Sequence, residues 1–239
     1  MEIYEQKLSA PQAGLSTRGL FLWLQEIANA QCVPLGLSGD DLKAKGLMWV
    51  VLRYLVRVER WPEAGEALRL QTWPGSTRHG MMPRFYRLLD ENGLCVVSAS
   101  SVWTVVDRAT RKMVIPEEHG IVLDGLVTGL EERRPPAPAR LETSESMDYT
   151  VTAEVLDANG HMNNTCYYDL AERCIGCVGQ HPRTIITEHQ SEIREGETMR
   201  VAWGREGGRF CLEGTRDVTV FRMELDYDGC APGKASRTA

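Results

Sequence analysis

The sequence lacks a long apolar run, a secretory leader and an excess of basic charge. No stretch approaches the roughly 20 consecutive apolar residues of a membrane helix, so we expect no membrane association. The first residues, MEIYEQKLSAPQAG, contain neither a basic nor an apolar segment, so we expect no signal peptide and predict the cytoplasm as the compartment. The formal net charge of −6 disfavours nucleic acid as a partner, because nucleic-acid-binding proteins present a basic face.

Cysteine patterns typical of metal sites are also scarce. The 7 cysteines are odd in number and lie in a chain of 239 residues without a predicted leader, so we expect reduced thiols. Cys174 and Cys177 form one CxxC, but no second CxxC or histidine pair lies at zinc spacing. We therefore expect helix packing for this pair, with metal or redox chemistry as the alternative, and no metal or cofactor in the protein.

An internal repeat is visible in two segments. GEALRLQTW at 65–73 resembles GETMRVAW at 196–203, and the stretch at 17–32 resembles the stretch at 164–177. Both similarities occur in the same order, so we interpret the chain as a duplication.

Each copy is predicted to contain one helix and several antiparallel strands. The apolar period predicts helices at 17–32 and 164–177, with N-caps at Ser16 or Thr17 and at Asn163 or Asn164. Strands are predicted at 2–8, 47–61, 67–75, 82–90 and 94–107, and again at 147–152, 184–195, 198–203, 209–215 and 217–227. The predicted fold class is α+β, with a sheet wrapped around a central helix in each of two tandem copies.

The domain organisation follows from this repeat and from composition. We predict copies at 1–130 and 146–230, a proline-rich linker at 131–145 and a disordered tail at 231–239.

The stretch LDANGHMNN at 156–164 makes the two copies chemically unequal. Alignment of the copies retains the glycine of this stretch but none of its polar side chains, which predicts one catalytic site, in the second copy. The corresponding pairs are Asp157 and Pro11, Asn159 and Ala13, Gly160 and Gly14, His161 and Leu15, and Glu195 and Ala64.

Two interpretations of this stretch are open. If 155–161 is extended, Asp157, Asn159 and His161 point to one side and lead into a helix whose free N–H groups attract negative charge. That arrangement suits a carbonyl oxygen that becomes negative, with an imidazole to move a proton. The alternative is an Asx-capped turn with a structural histidine.

The residues resemble the acyl-acyl-carrier-protein (acyl-ACP) thioesterase family, which has a double hotdog fold. The family pattern Asp-x-Asn-x-His-x-Asn-Asn matches residues 157–164, and the resemblance covers about residues 1–228. Further matches, in chain order, are Leu24-Gln25-Glu26 with Ala28, Trp49-Val50, Gly65-Glu66, Thr72-Trp73-Pro74, Arg84, Arg87, Trp103 and Asp107.

The resemblance implies hydrolysis of a fatty acyl thioester on acyl carrier protein. It implies a catalytic set of Asp157, Asn159, His161 and a glutamate on the next strand, which counting back from Val201 places at Glu195. Glu195 and His161 would then deprotonate water, and Asn159 with helix N–H groups would hold the oxyanion. Asp157 would orient its neighbours or attack to form an anhydride, and the sequence leaves both roles open.

A thiol nucleophile is a further possibility within the family. Plant members carry a cysteine directly after the catalytic glutamate, whereas Gly196 follows Glu195 here. Cys166 is the nearby substitute, with helix packing as its alternative role.

The first copy is expected to line the acyl chain, and basic residues are expected to meet the acidic carrier protein. Core packing and a solvated charged face are the respective alternatives, and monomer and homodimer are both open. The predicted lining residues are Leu24, Met48, Trp49, Leu52, Met81 and Met82, and the predicted carrier contacts are Arg78, Arg84, Arg108, Arg111 and Lys112.

Rival functions remain for a hotdog protein. An acyl-CoA thioesterase, a hydroxyacyl-thioester dehydratase and a non-catalytic acyl-thioester-binding or regulatory module are the alternatives. The Asp-x-Asn-x-His order favours hydrolysis, and the complete polar set argues against a non-catalytic module.

Overall fold

The chain divides into two compact units in a computed structural model that describes residues 2–157 and 159–227. Unit 1 contains residues 2–15 and 22–135, and unit 2 contains residues 16–21 and 136–227. The predicted tail at 231–239 lies outside the described residues.

Unit 1 is an antiparallel sheet with strand order β1-β3-β4-β5-β2. The Ser16 hydroxyl accepts a hydrogen bond from the Gly19 N–H (3.0 Å), so Ser16 caps the first helix as predicted. The elements are β1 (Tyr4–Ser9), α1 (Thr17–Cys32), α2 (Gly39–Ala44), β2 (Leu47–Val58), β3 (Ala67–Pro74), β4 (Met82–Leu89) and β5 (Cys95–Asp107).

Helix α2 is not among the predicted elements. Its signal is local, since Ser38 and Asp41 form a capping box in which each side chain bonds the backbone of the other. With only 6 residues, the helix is too short to show an apolar period.

Unit 2 repeats this arrangement, with strand order β7-β10-β9-β8-β6. Strands β1 to β5 correspond in order to β6 to β10, which confirms the duplication and the α+β fold class. The elements are β6 (Glu145–Thr150), α3 (Cys166–Ile175), β7 (Thr184–His189), β8 (Thr198–Glu206), β9 (Arg209–Thr215) and β10 (Thr219–Asp226).

The repeated Gly-Glu pair is a turn in both units. The backbone N–H of Glu63 donates to the Glu66 carboxylate (2.8 Å), and that of Arg194 donates to the Glu197 carboxylate (2.7 Å). The glycine before each of these glutamates has a positive φ, 75° at Gly65 and 77° at Gly196. The echo between the copies therefore preserves a turn that precedes a strand.

The segment between the copies divides at residues 135 and 136. Residues 131–135 lie against unit 1, where the Ser98 hydroxyl donates to Glu132 (2.9 Å) and the Ser100 hydroxyl donates to the Arg133 carbonyl (2.6 Å). Residues 136–144 form neither helix nor strand. Within the described residues, no helix is long and apolar enough to cross a membrane.

Candidate active site

The Asp-x-Asn-x-His stretch forms a tight turn and is not extended as the catalytic interpretation assumed. The Asp157 N–H donates to the His161 carbonyl (2.7 Å), and the Gly160 N–H donates to the Asp157 carbonyl (3.0 Å). Gly160 has φ 77°, and its counterpart Gly14 has φ 85° with the equivalent hydrogen bond to Pro11. The shared frame of the two copies is thus a turn closed at a positive-φ glycine, and in unit 2 the Asp157 side chain adds an Asx turn to it.

Asp157 closes this turn with its side chain. One carboxylate oxygen accepts hydrogen bonds from the backbone N–H groups of Asn159 (2.8 Å) and His161 (3.2 Å). The Asn159 side chain is exposed and approaches the other oxygen of Asp157 at 3.4 Å. The carboxylate therefore fixes the backbone that carries the histidine.

His161 is buried at the end of the turn, and a short backbone pairing holds it there. His161 bridges to Arg194, and the Met162 N–H donates to the Ile193 carbonyl (2.9 Å). This pairing brings the 190–197 loop between β7 and β8 beside the imidazole.

The carboxylate at His161 belongs to Glu192. Its Oε2 lies 3.2 Å from His161 Nε2, and the Glu192 side chain is 39% exposed, so the imidazole is buried while its acidic partner reaches solvent. Arg194 Nε lies 3.3 Å from the same Nε2 atom. One nitrogen thus has an anionic and a cationic neighbour.

The structure does not bring the predicted Glu195 to the histidine. Glu195 is exposed at the tip of the 194–197 turn, three positions before β8 begins. Counting back from Val201 placed the glutamate at the end of a strand predicted at 184–195, whereas β7 ends at His189 and Glu195 lies in the turn with Gly196. Glu192 was not predicted from the sequence. The Gly196-Glu197 turn signal could have indicated it, because Glu192 lies in the loop before that turn.

A thiol nucleophile finds no support at this site. The residue after Glu192 is Ile193, which is buried and has no thiol. Cys166 is buried at the beginning of α3, and burial raises the pKa of its thiol, which disfavours the thiolate. Burial likewise raises the pKa of Cys174 to about 11, and Cys177 is buried, which fits helix packing for the CxxC.

The first N–H groups before and in α3 are occupied. The Asn163 side chain accepts from the Thr165 N–H (2.9 Å), and the Asn163 carbonyl accepts from the Cys166 N–H (2.8 Å). The expected electropositive pocket therefore loses these two donors to Asn163, although the N-cap of α3 is Thr165 and not the predicted Asn163 or Asn164. Among the described residues, no cluster of His, Cys, Asp and Glu could hold a metal ion.

The predicted acyl-lining residues lie in several places in unit 1. Met82 belongs to a buried apolar cluster with Leu37 and Leu42, and Trp49 packs against that cluster. Leu24 is buried on α1, whereas Met48 and Leu52 are half-buried on β2, and Met81 lines a separate cavity.

One predicted carrier contact is wrong. Arg84 is buried, and its guanidinium donates to the Gln31 and Thr72 side chains, so it cannot meet another protein. The alternation of β4 places it on the same face as buried Tyr86. Arg78, Arg111 and Lys112 are exposed, and Arg108 is half-buried.

The chain matches two domain models of one family. Residues 12–120 match the acyl-ACP thioesterase N-terminal domain, and residues 139–230 match its C-terminal domain. The chain is 30% identical over 202 residues to a chloroplastic palmitoyl-acyl carrier protein thioesterase of Gossypium hirsutum. That alignment covers 78% of this chain and 46% of the relative, so the chain spans about half the length of the plant protein.

Solved structures show the same fold at low identity. An acyl-ACP thioesterase from Bacteroides thetaiotaomicron has a TM-score of 0.77 at 19% identity and covers 94% of this chain and 97% of its own. The 12:0-ACP thioesterase from Umbellularia californica has a TM-score of 0.78 at 18% identity, with 97% and 98% covered. The protein thus has the predicted hotdog fold in two tandem copies. With both domain models matched in order, the chain belongs to the acyl-ACP thioesterase family.

Proposed function

We propose that the protein hydrolyses the thioester between a fatty acyl chain and acyl carrier protein, releasing the free fatty acid. The observation that carries this proposal is the 3.2 Å contact between His161 and Glu192, which only unit 2 has the residues to make. The positions equivalent to His161 and Glu192 in unit 1 hold Leu15 and Trp61, which can neither accept nor hold a proton from water. The family and the plant relative's name support the substrate class.

The two neighbours of His161 Nε2 correspond to two protonation states. Arg194 is always charged and can only donate, so its Nε–H bonds an Nε2 that carries no proton. Glu192 can accept only when Nε2 carries one. In the first state the imidazole is a base, and in the second it is an acid stabilised by a carboxylate.

The reaction uses these states in turn. His161 Nε2 takes a proton from water, whose oxygen bonds to the thioester carbonyl carbon. The protonated Nε2 then donates to Glu192. When the carbon–sulfur bond breaks, the same proton passes to the phosphopantetheine sulfur, and fatty acid and thiol leave.

The oxyanion of the tetrahedral intermediate needs donors at the exposed side of the turn. The Asn159 amide and the Arg194 guanidinium, both exposed beside His161, supply them in this proposal. Asp157 acts as a positioning residue, because the turn already uses one of its oxygens.

The finer predictions on partners and location are part of this proposal. The acidic carrier protein would dock on Arg78, Arg108, Arg111 and Lys112. No cofactor, metal, nucleic acid or membrane takes part, the compartment is the cytoplasm, and monomer and homodimer remain the two candidate states.

The test is turnover of purified protein on a panel of acyl-ACP thioesters, with acyl-CoA of matched chain length and with His161→Ala alongside. We expect release of free fatty acid and thiol from acyl-ACP, and a loss of about 10²- to 10⁴-fold in His161→Ala. Preference for acyl-CoA would indicate the CoA thioesterase, an enoyl product the dehydratase, and binding without turnover the non-catalytic module. Full activity of His161→Ala would overturn the assignment.

A further inference from the structure

A cavity of about 380 Å³ lies in unit 1, on the sheet face that points away from α1. Arg84 on β4 contacts Gln31 of α1, so its neighbours Pro83 and Phe85 point to the opposite face and line the cavity. Residues 126–135 run over this face, held where the Leu126 N–H donates to the Pro74 carbonyl (2.9 Å). The cavity size falls within the range of small-molecule sites, about 300–1,000 Å³.

The cavity wall is largely apolar, and two of its hydroxyl groups are already bonded. Met81, Phe85, Val102 and Leu126 contribute apolar surface, and Val127 is 84% exposed beside them. The Ser100 hydroxyl donates to the Arg133 carbonyl, and the Ser101 hydroxyl accepts from the Trp103 indole N–H (2.7 Å). A ligand with many amides, such as a pantetheine arm, would find few free partners here.

Both acidic residues of the lining already have partners, and Glu132 is the one that is paired with a cation. Glu132 pairs with Arg57 (3.3 Å) and Ser98. Hydrogen bonding from the Thr128 N–H lowers the pKa of Glu131 to about 2, so this carboxylate stays ionised and is held by its own loop.

Two arginines of the lining carry uncompensated charge. Arg134 contacts the sulfur of Met81, and Arg78, whose backbone pairs with that of Met81, is exposed. Within residues 2–157 and 159–227, neither guanidinium has a carboxylate partner. An apolar wall with two such cations is complementary to one apolar chain that ends in an anion.

We propose that this cavity binds a free fatty carboxylate, with its chain along Phe85 and Leu126 and its carboxylate at Arg78 and Arg134. The ligand's identity as the reaction product rests on the proposed function, whereas the binding itself does not need hydrolysis. All residues of the lining belong to unit 1, whereas His161 belongs to unit 2.

Photolabelling with dodecanoate that carries a terminal diazirine tests the site, with labelled peptides mapped by mass spectrometry. We expect label on peptides that contain Met81 or Leu126. Labelling should fall about tenfold in the double variant Arg78→Met/Arg134→Met. It should fall equally in the parent protein when the probe is the matching alcohol. The control Arg133→Met removes an exposed charge that is not part of the lining and should label as the parent does.

Three results would overturn the proposal: no label on these peptides, equal labelling by the alcohol, or full labelling of the double variant. A fourth result would also overturn it: carrier protein without an acyl chain protects these peptides from labelling, and the double variant has a raised KM for acyl-ACP. That combination would make the face a protein-docking surface. Photolabelling measures binding and does not require that the protein hydrolyse a substrate. If the hydrolase assay fails and labelling is intact, the proposed function is contradicted and the binding site is not.

Discussion

His161 Nε2 lies 3.2 Å from Glu192 Oε2, although the two residues are 31 positions apart in sequence and sit in separate loops of unit 2. The pairing of Met162 with Ile193 sets this distance, because it aligns the turn that carries the histidine with the loop that carries the glutamate. The contact is therefore set by backbone geometry, and substitutions of its side chains should alter the proposed chemistry more than folding.

Glu192→Gln should lower kcat for acyl-ACP by about 10²- to 10⁴-fold, because the amide cannot stabilise a protonated His161. The matched control is Glu195→Gln, which removes an exposed charge three residues away and should stay within about twofold of the parent. Steady-state kinetics of both variants checks the pair. The reverse result, with Glu195→Gln inactive and Glu192→Gln active, would restore the glutamate expected from sequence.

Arg194→Met should lower kcat by about ten- to hundredfold, the range of one charge-assisted hydrogen bond, with a smaller change in KM. Its guanidinium touches the reacting nitrogen of His161 and would hold the oxyanion. Arg194→Lys keeps the charge but loses the fixed Nε–H and should recover only part of the rate. Wild-type kcat in Arg194→Met would remove this residue from the mechanism.

Asp157→Asn should keep far more activity than Asp157→Ala, since the amide oxygen can still accept from the Asn159 and His161 N–H groups. A single turnover in ¹⁸O-water separates positioning from nucleophilic attack. We expect label in the fatty acid and none in the peptide that contains Asp157. Labelled Asp157 would establish the anhydride route.

Much of the fold was predictable because it depends on periodic patterns and on repetition. The helix cap at Ser16, the strand series and the doubling of the Gly-Glu turn are local signals that tertiary packing reinforced. Helix α2 was missed because a capping box marks it and a period does not.

The site was predictable only in part, since its residues depend on turns. The sequence predicted that Asp157 and His161 lie on one extended segment. The structure places them instead in an Asx turn. Glu195 lies three positions past the glutamate that contacts His161, in a turn with the positive-φ Gly196 and not on a strand. The contact of His161 with Glu192 is a long-range pairing that no local pattern contains.

Arg84→Met should destabilise the protein by about 1–3 kcal/mol, because it leaves the buried Gln31 carbonyl group without its donor. It should not change KM for acyl-ACP, since the arginine is buried on the inner face of β4. Exposed Arg111→Met serves as the comparison and should raise KM with unchanged stability if it contacts the carrier protein. A raised KM in a folded Arg84→Met protein would contradict the burial argument.

Glu172 on α3 should make stability depend on pH. Burial raises the pKa of its carboxyl from 4.5 to about 7, and its Oε1 has no hydrogen-bond partner in the described part of the chain. Because the folded state holds this proton more tightly than the unfolded state, the contribution to stability is full below pH 4.5. It is lost progressively up to about pH 7, by at most roughly 3 kcal/mol.

Glu172→Gln replaces this carboxyl with a neutral group of similar shape, so the variant should gain much less stability over the parent at pH 5 than at pH 8. A gain of 1 kcal/mol corresponds to about 2–4 °C in Tm for a chain of this size, which thermal unfolding at both pH values can resolve. The control is Glu26→Gln, the equivalent position on α1, where the side chain is exposed and no pH-dependent gain is expected. An equal change in Tm at pH 5 and pH 8 in Glu172→Gln would contradict the prediction. It would show that the Glu172 carboxyl is already ionised in the folded protein at both pH values. A carboxyl that is neutral when folded and charged when unfolded must make stability differ between the two pH values.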